Sequence, residues 1–139
     1  MSYWIMSANP SFYDHGGAIQ KYGYIYWKQT RRFAIGDIVF LYCTKPYSKI
    51  MFMTRVEDID IGEPKEGLEF WKKKAPSSNN ARYMRLALIS AVDDDCLSFS
   101  ELSLHGLVYP PQGPMHLDDD LVNYICRCFR SRNEHEKAN

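Results

Sequence analysis

The sequence has no excess charge of either sign, no long apolar run and no cysteine framework. Seventeen Lys and Arg residues cancel seventeen Asp and Glu residues, so the 139-residue chain has a formal net charge of zero. This balance excludes the overall positive field that drives tight non-specific binding to nucleic acid, and an anionic partner must be met by a local patch. No apolar run approaches the length that spans a bilayer, and the N-terminal residues lack the basic and apolar regions of a signal peptide. We therefore expect a cytoplasmic protein with no membrane partner.

The four cysteines have neither disulfide nor metal-ligand spacing. Cys43 lies in an apolar run and Cys96 follows an acidic turn, whereas Cys126 and Cys128 are two apart on a predicted helix, where their side chains diverge. No histidine stands at a spacing that would complete a tetrahedral site. The pattern predicts free thiols in a reducing compartment, no metal site and no cofactor.

Apolar and aromatic residues are plentiful, at 45% and 14% of the chain, and they follow strand and helix patterns. Five strands are predicted at residues 3–7, 24–29, 38–43, 49–61 and 82–92. Short helices are predicted after Asp14 and at 99–105, and a C-terminal helix at about 118–131 precedes a frayed tail, 132–139. The polar segment 62–80, which carries Leu68, Phe70 and Trp71, is predicted to be a loop. We expect one α+β domain over 1–139, a small mixed pseudo-barrel of about five to six strands with short flanking helices.

Basic and aromatic residues are interleaved in the first half of the chain. Seven basic residues and only one acidic residue, Asp37, lie between Lys21 and Arg55. The aromatic residues among them are Tyr24, Tyr26, Trp27, Phe33, Tyr42 and Tyr47. Bases stack on such rings at roughly 1–3 kcal/mol each, while nearby basic side chains hold phosphates. A solvated basic face beside ordinary core aromatics explains the same pattern, and the composition leaves both interpretations open.

A catalytic interpretation is also open. Lys28 and Thr30 are close together on an extended segment, and Glu57 would face them across a barrel. Such a set would cleave an amide, with the lysine activating the hydroxyl. The histidines have no spacing typical of a triad, and each is interpreted as a surface or turn residue. Of the two interpretations, binding without catalysis is the one that we favour.

Three segments in order resemble one family. "YWIMSANP" at 3–10, "WKQTRRFAIGDIVFLYCT" at 27–44 and "KIMFMTRVED" at 49–58 resemble the EVE domains of the PUA-like superfamily. Within this family the sequence looks closer to EVE-like modules associated with restriction enzymes, in which "WKQ", "KPYS" and a "PPQGP" before the last helix occur. The resemblance is good over about the first sixty residues and implies a cleft that accepts a nucleobase, often a modified one, taken out of the stack.

The resemblance also implies which residues form the site. Those expected at the base are Trp4, Ser7, Asn9, Trp27, Lys28, Gln29, Tyr42 and Ser48. Those expected at the nucleic-acid backbone are Arg31, Arg32, Lys45, Tyr47 and Lys49. The leading hypothesis is a module that reads a modified, flipped-out base in DNA, with a nuclease or other restriction-type protein as a second partner. The alternatives are an RNA-binding PUA-like module, an amidohydrolase acting on a modified nucleoside, as in the related ASCH branch, and a protein-interaction module.

Overall fold

The computed structural model describes residues 1–73 and 81–138, with six strands and three α-helices in those ranges. The strands are β1 (Tyr3–Ala8), β2 (Tyr24–Lys28), β3 (Ile38–Cys43), β4 (Lys49–Ile61), β5 (Tyr83–Ala91) and β6 (Met115–His116). The helices are α1 (His15–Tyr22), α2 (Phe99–Leu104) and α3 (Asp119–Ala138), with single 3-10 turns at Leu68–Phe70 and Asp95–Leu97. All five predicted strands and both predicted short helices are present.

The six strands form one mixed sheet in the order β2-β5-β4-β3-β1-β6. β1 and β3 are parallel, and the other neighbours are antiparallel. The sheet is open, because β2 and β6 are its two edges. The prediction of an α+β fold with a mixed sheet of about six strands and short flanking helices is confirmed, but the sheet does not close into the predicted barrel, because β2 and β6 are not paired with each other.

β3 lies inside the sheet and is buried along its whole length, as its continuous apolar run predicts. Alternate side chains of a strand point to opposite faces of a sheet, and each face here has its own core. The first core contains Trp4, Met6, Val39 and Leu41 together with Ala18 and Ile19 of α1. The second contains Ile5, Phe40 and Tyr42 together with Leu102 of α2 and Leu121, Ile125 and Phe129 of α3. The sheet is therefore the middle layer, with α1 on one face and α2 and α3 on the other.

Helix α1 has the start and stop signals that its sequence predicts. The Asp14 carboxylate accepts a hydrogen bond from the Gly17 backbone N–H at 3.0 Å, and Gly23 ends the helix with a φ of 79°. Gly17 also permits a close approach, because a Cβ there would lie 2.8 Å from Cε1 of Phe70. Residues around Phe70 therefore pack directly on the first turn of α1.

The C-terminal helix is longer than predicted. It continues to Ala138, beyond the predicted end near 131, so residues 132–138 are helical where a frayed tail was predicted. Asn139 lies outside the described residues. Contacts beyond the predicted end explain the difference: Arg132 Nε pairs with Asp94 Oδ2 at 2.8 Å, and Asn133 Nδ2 donates to Ser90 Oγ at 2.8 Å. Within the described ranges, no helix has both the length and the apolar character needed to cross a bilayer.

Candidate functional site

A cavity of about 260 Å³ opens on the α1 side of the sheet, at its β2 edge. Three parts of the chain form it: the connection from β1 to α1, the edge strand β2 with the start of β5, and the segment 63–71 of the predicted polar loop. Its lining residues are Asn9, Phe12, Tyr13, His15, Tyr26, Trp27, Lys28, Glu63, Pro64, Glu66, Gly67, Leu68, Trp71 and Tyr83. We call this cavity the aromatic cleft.

Backbone hydrogen bonds attach the loop segment to the β1–α1 connection. The Asp14 N–H donates to the Phe70 carbonyl at 2.9 Å, and the Lys72 N–H donates to the Phe12 carbonyl at 2.8 Å. The Tyr13 hydroxyl donates to the Gly67 carbonyl at 2.9 Å. Gly67 has a φ of +77°, and a Cβ there would lie 2.8 Å from the Tyr13 hydroxyl oxygen, so this position requires glycine. The segment is thus an ordered wall of the cleft. The remainder of the predicted loop, 74–80, lies outside the described residues.

The rings in the cleft pack against one another. Trp27 stacks on His15 with centroids 5.2 Å apart and an interplanar angle of 29°. Tyr13 meets His15 edge-on at 5.0 Å and Trp71 edge-on at 4.9 Å. Offset-stacked and edge-to-face contacts are the favourable geometries for aromatic pairs. The walls are therefore held in place before any ligand enters.

His15 is a buried wall residue, which corrects its interpretation as a surface or turn residue. Its side chain is 9% exposed, between the rings of Trp27 and Tyr13. Burial disfavours the charged imidazole and lowers its pKa to about 4, against an opposing but smaller effect of the nearby Asp14 carboxylate. The ring is uncharged at neutral pH.

We expect the buried His15 to make the protein less stable as the pH falls from about 6.5 to about 4. The folded-state pKa lies below the unfolded value, so over this range the unfolded chain binds more protons and is favoured. The free energy of unfolding should fall by roughly 2–3 kcal/mol across the window, as measured by urea denaturation. His15→Gln should remove this component of the pH dependence, and NMR titration should show a His15 pKa well below 6.5. An unchanged slope in the variant would contradict the assignment.

Carboxylates and one lysine supply the charge of the cleft. Glu66 accepts hydrogen bonds through both oxygens, from the Tyr24 hydroxyl at 2.8 Å and from the Tyr26 hydroxyl at 3.2 Å. The hydrogen bond to Glu66 is the main cause that raises the pKa of Tyr24, to about 12. Glu63 also lines the cleft, as does Lys28 on β2. The charged lining is therefore two acids and one base.

Asn9, Trp27 and Lys28 are the sequence-predicted base-site residues that line the cleft. Gln29 follows Lys28, but its side-chain oxygen accepts a hydrogen bond from the Asp60 backbone N–H at 3.3 Å, and it is not among the lining residues. Three of the eight residues predicted at the base therefore line this one cavity, and their role in binding stays a prediction.

Trp4 is a core residue, which corrects its expected position at the cleft. Its side chain is 5% exposed, and its indole N–H donates to Asp37 Oδ2 at 3.1 Å. Asp37 also accepts from the Ser2 N–H at 2.9 Å and from the Ala34 N–H at 3.0 Å. Trp4 and Asp37 thus join the start of β1 to the turn before β3.

Ser7, Tyr42 and Ser48 are also placed away from the cleft. Tyr42 is 3% exposed in the core beneath α2 and α3, and Ser7 is paired with it in register on the same face of the sheet. The Ser7 hydroxyl donates to the Pro111 carbonyl. The Ser48 carbonyl accepts from the Phe99 N–H at 3.0 Å, at the start of α2. Because side chains alternate between faces, Ser7 and Tyr42 lie on the face of the sheet opposite the cleft, and Ser48 lies in the turn beside α2.

The residues predicted to contact the nucleic-acid backbone differ in the contacts that they already make within the fold. Lys49 is paired with Asp93 Oδ1 at 2.7 Å and with Asp95 Oδ1 at 3.3 Å, and its side chain is only 14% exposed. Lys45 and Tyr47 are exposed in the β3–β4 turn.

The β3–β4 turn lies beside the end of β1, and two arginines follow β2. The Thr44 N–H donates to the carbonyl of Ala8, the residue before Asn9. Arg31 and Arg32 are exposed just after Lys28. Exposed basic side chains therefore lie near two parts of the cleft: Lys45 is in the turn beside Ala8 and Asn9, and Arg31 and Arg32 follow Lys28.

The structure does not bring the alternative catalytic residues together. Glu57 Oε2 pairs with Arg85 Nε at 3.3 Å, and Thr30 is exposed beyond the end of β2. Neither of them lines the cleft with Lys28, and among these three described residues no hydrogen bond joins any pair. This geometry gives no support to an amide-cleaving Lys, Thr and Glu set.

Several cleft residues were not identified from the sequence. They include Tyr13, His15, Glu63, Glu66, Trp71 and Tyr83. The sequence feature that points to this wall of the cleft is the presence of Phe70 and Trp71 inside an otherwise polar loop. Apolar rings in a loop generally have a packing partner or a ligand. Their partner, the β1–α1 connection, is more than fifty residues away in sequence.

No protein-family model matches the sequence, and no curated protein is significantly similar to it. Solved structures do share its fold. The ASCH protein of Zymomonas mobilis aligns over 91% of this chain and 94% of its own, with a TM-score of 0.64 and 13% identity. A protein from Pseudomonas syringae aligns over 91% of this chain and 99% of its own, with a TM-score of 0.65 and 14% identity. The chain thus shares its fold with the ASCH protein of Zymomonas mobilis, whereas the resemblance to EVE domains of the PUA-like superfamily stays a prediction.

Proposed function

We propose that this chain is a nucleic-acid-binding module that takes one modified, flipped-out base of DNA into the aromatic cleft. The observation that carries the proposal is a preformed cavity of about 260 Å³ walled by aromatic rings. This volume is slightly below the range of about 300–1,000 Å³ typical of drug-sized ligands, so it suits one base or nucleoside. Extruded bases are bound by stacking against rings and by hydrogen bonds to their edges, and the cleft offers both.

Polar groups at the cleft supply the hydrogen bonds to the base edge that such a site requires in addition to stacking. The Asn9 side-chain amide has a donor and an acceptor for a base edge. Its oxygen accepts from the Ser11 N–H at 2.9 Å, which orients the amide and leaves its NH₂ group as the donor. A donor and the carboxylates of Glu63 and Glu66, which are acceptors, therefore lie in the same cavity.

The exposed basic residues beside the cleft fit the phosphates next to an extruded base. Lys45 lies in the turn beside the end of β1, and Arg31 and Arg32 follow β2. Phosphate contacts position the nucleic acid without specifying its sequence. Lys49 does not belong to this set, because it already pairs with the carboxylates of Asp93 and Asp95.

The test is binding to otherwise identical oligonucleotides that carry different cytosine and adenine modifications, in single-stranded and duplex DNA and in RNA. We expect one modified DNA to bind at least about tenfold more tightly than the unmodified strand. Binding to unmodified duplex should be weak because only a few phosphates are contacted, and log K should fall with log salt concentration by about 0.9 for each of them. Equal affinity for every member of the panel would refute the proposal, and preference for RNA would assign the site to RNA.

Variants of the basic residues distinguish phosphate contacts, which position the nucleic acid, from contacts that recognise the base. Lys45→Ala and Arg31→Ala should each weaken binding to modified and unmodified oligonucleotides by the same factor, so the preference between them is unchanged. Lys49→Ala is the matched control, since its ammonium is engaged within the fold and its loss should affect stability more than binding. A change of preference in the Lys45 or Arg31 variant would show that these side chains read the base.

A further inference from the structure

We propose that the base taken by the aromatic cleft carries a positive charge, as a ring-nitrogen-alkylated adenine, cytosine or guanine does. The inference rests on the proposed function and specifies its ligand class. It follows from the combination of aromatic walls with two carboxylates, Glu63 and Glu66, against the single cationic side chain of Lys28.

Glu66 is a preorganised counter-ion for such a base. Its two oxygens are held by separate phenol groups, Tyr24 at 2.8 Å and Tyr26 at 3.2 Å, and the ring of Tyr26 is itself part of the wall. Each carboxylate oxygen can accept a further hydrogen bond, so a ligand N–H can be bound without breaking the existing contacts. A carboxylate fixed beside a ring is placed to neutralise a cation that stacks on that ring.

The aromatic rings of the cleft also favour a positively charged ligand. The face of an aromatic ring is negative, and a cation over it is stabilised by about 0.5–2 kcal/mol, most strongly over tryptophan and in desolvated sites. Trp27 and Trp71 are both wall residues. The neighbour on which Trp27 stacks, His15, is buried and uncharged at neutral pH and therefore does not repel a cation.

The charge distribution also orients the ligand. Glu63 and Glu66 repel phosphate, whereas Lys28 and the arginines that follow it attract phosphate. The nucleic-acid strand therefore passes the Lys28 side of the cleft. The charged edge of the extruded base points towards the two glutamates. A cationic base in this position balances a lining in which two carboxylates face one lysine.

An isomeric pair of ligands isolates the effect of charge. The probes are two short single-stranded DNA oligonucleotides that differ at one adenine, which carries its methyl group on N1 in one and on the exocyclic N6 in the other. The two contain the same non-hydrogen atoms, but only the N1-methyl base binds the additional proton that makes it cationic at neutral pH. We expect the N1-methyl oligonucleotide to bind about tenfold more tightly, as measured by quenching of tryptophan fluorescence.

Glu66→Gln should reduce this preference severalfold while retaining the shape of the side chain. Glu57→Gln is the matched control, because Glu57 is an exposed carboxylate on β4 that pairs with Arg85 and does not line the cleft. The preference should be unchanged in that control. A loss of preference in the Glu57 variant, or none in the Glu66 variant, would overturn the assignment of the counter-ion.

The outcomes distinguish this inference from the proposed function. Equal binding of the two isomers, with Trp27 still required, overturns the charge inference and leaves base binding intact. No binding of either isomer or of any modified oligonucleotide refutes base binding itself. Tighter binding of a trimethyllysine peptide than of the N1-methyl oligonucleotide would overturn the assignment to a nucleobase, since the same rings would then serve a methylated protein side chain.

Discussion

Replacing Trp27 with leucine is expected to lower the affinity for a modified oligonucleotide by roughly 5- to 150-fold. This range corresponds to the 1–3 kcal/mol by which a base stacks on an aromatic side chain. Trp27 is half-buried against the core that contains α1, and one of its contacts is the stacked His15. Leucine retains apolar packing at this position and removes the π-surface. Affinity is measured by fluorescence anisotropy of a labelled oligonucleotide.

Two controls make the Trp27 result interpretable. Thermal unfolding of the variant should remain cooperative, since the leucine still packs on the core. Tyr47→Leu changes an aromatic residue that is 45% exposed and not among the cleft-lining residues, and it should have a much smaller effect on affinity. If the leucine variant binds as tightly as the parent protein, the base does not stack on Trp27. If the Trp27→Leu variant does not fold, the core requires Trp27. Trp71→Leu then tests whether the base stacks on the aromatic wall of the cleft.

Asp37→Ala is expected to lower the free energy of unfolding by about 3–5 kcal/mol, or roughly 10–15 °C in Tm. The carboxylate of Asp37 accepts three hydrogen bonds, from the N–H groups of Ser2 and Ala34 and from the indole of Trp4. Alanine would leave these donors without partners, and an unsatisfied buried donor costs about 1–3 kcal/mol. Urea denaturation and differential scanning calorimetry measure the loss.

The pH dependence of stability gives an independent check on Asp37. Burial by itself would raise the pKa of this carboxyl group, but the hydrogen bonds from Ala34, Ser2 and Trp4 outweigh it and lower the pKa below its usual value. The stabilisation is therefore present above the unfolded pKa of about 3.9 and is lost as the pH falls through the lower folded pKa. Asp37→Asn keeps the shape of the side chain and should remove this acid-dependent component. A variant as stable as the parent protein at pH 7 would contradict the role of the carboxylate.

The strands and the short helices were predictable because their signals are local. The continuous apolar run of β3 indicated a strand buried on both faces, and Asp14 and Gly23 marked the two ends of α1. The C-terminal helix was predicted too short, because the residues that extend it are polar. Arg132 and Asn133 are held by Asp94 and Ser90, which belong to other elements, and no helical periodicity reveals such contacts.

The candidate site was only partly predictable, and the reason lies in the sheet. Trp4, Ser7 and Tyr42 belong to strands that the resemblance associates with a base site, but Trp4 and Tyr42 point into the two cores and the Ser7 hydroxyl donates to the Pro111 carbonyl. Which face of a strand meets a cavity depends on what covers each face, and α1 and α3 are brought to the sheet from distant parts of the chain.

The amino-acid sequence by itself determined the element types, the mixed α+β character and the interleaving of basic and aromatic residues around β2. These follow from side-chain periodicity, capping residues and composition, which act over a few neighbouring positions. Only the tertiary structure decided that the loop at 63–71 closes the aromatic cleft, that His15 is buried and uncharged, and that Lys49 is neutralised by Asp93 and Asp95. The physical reason is that burial, pairing of charges and the hydrogen bonds between residues 12–14 and 67–72 depend on contacts between segments far apart in the chain.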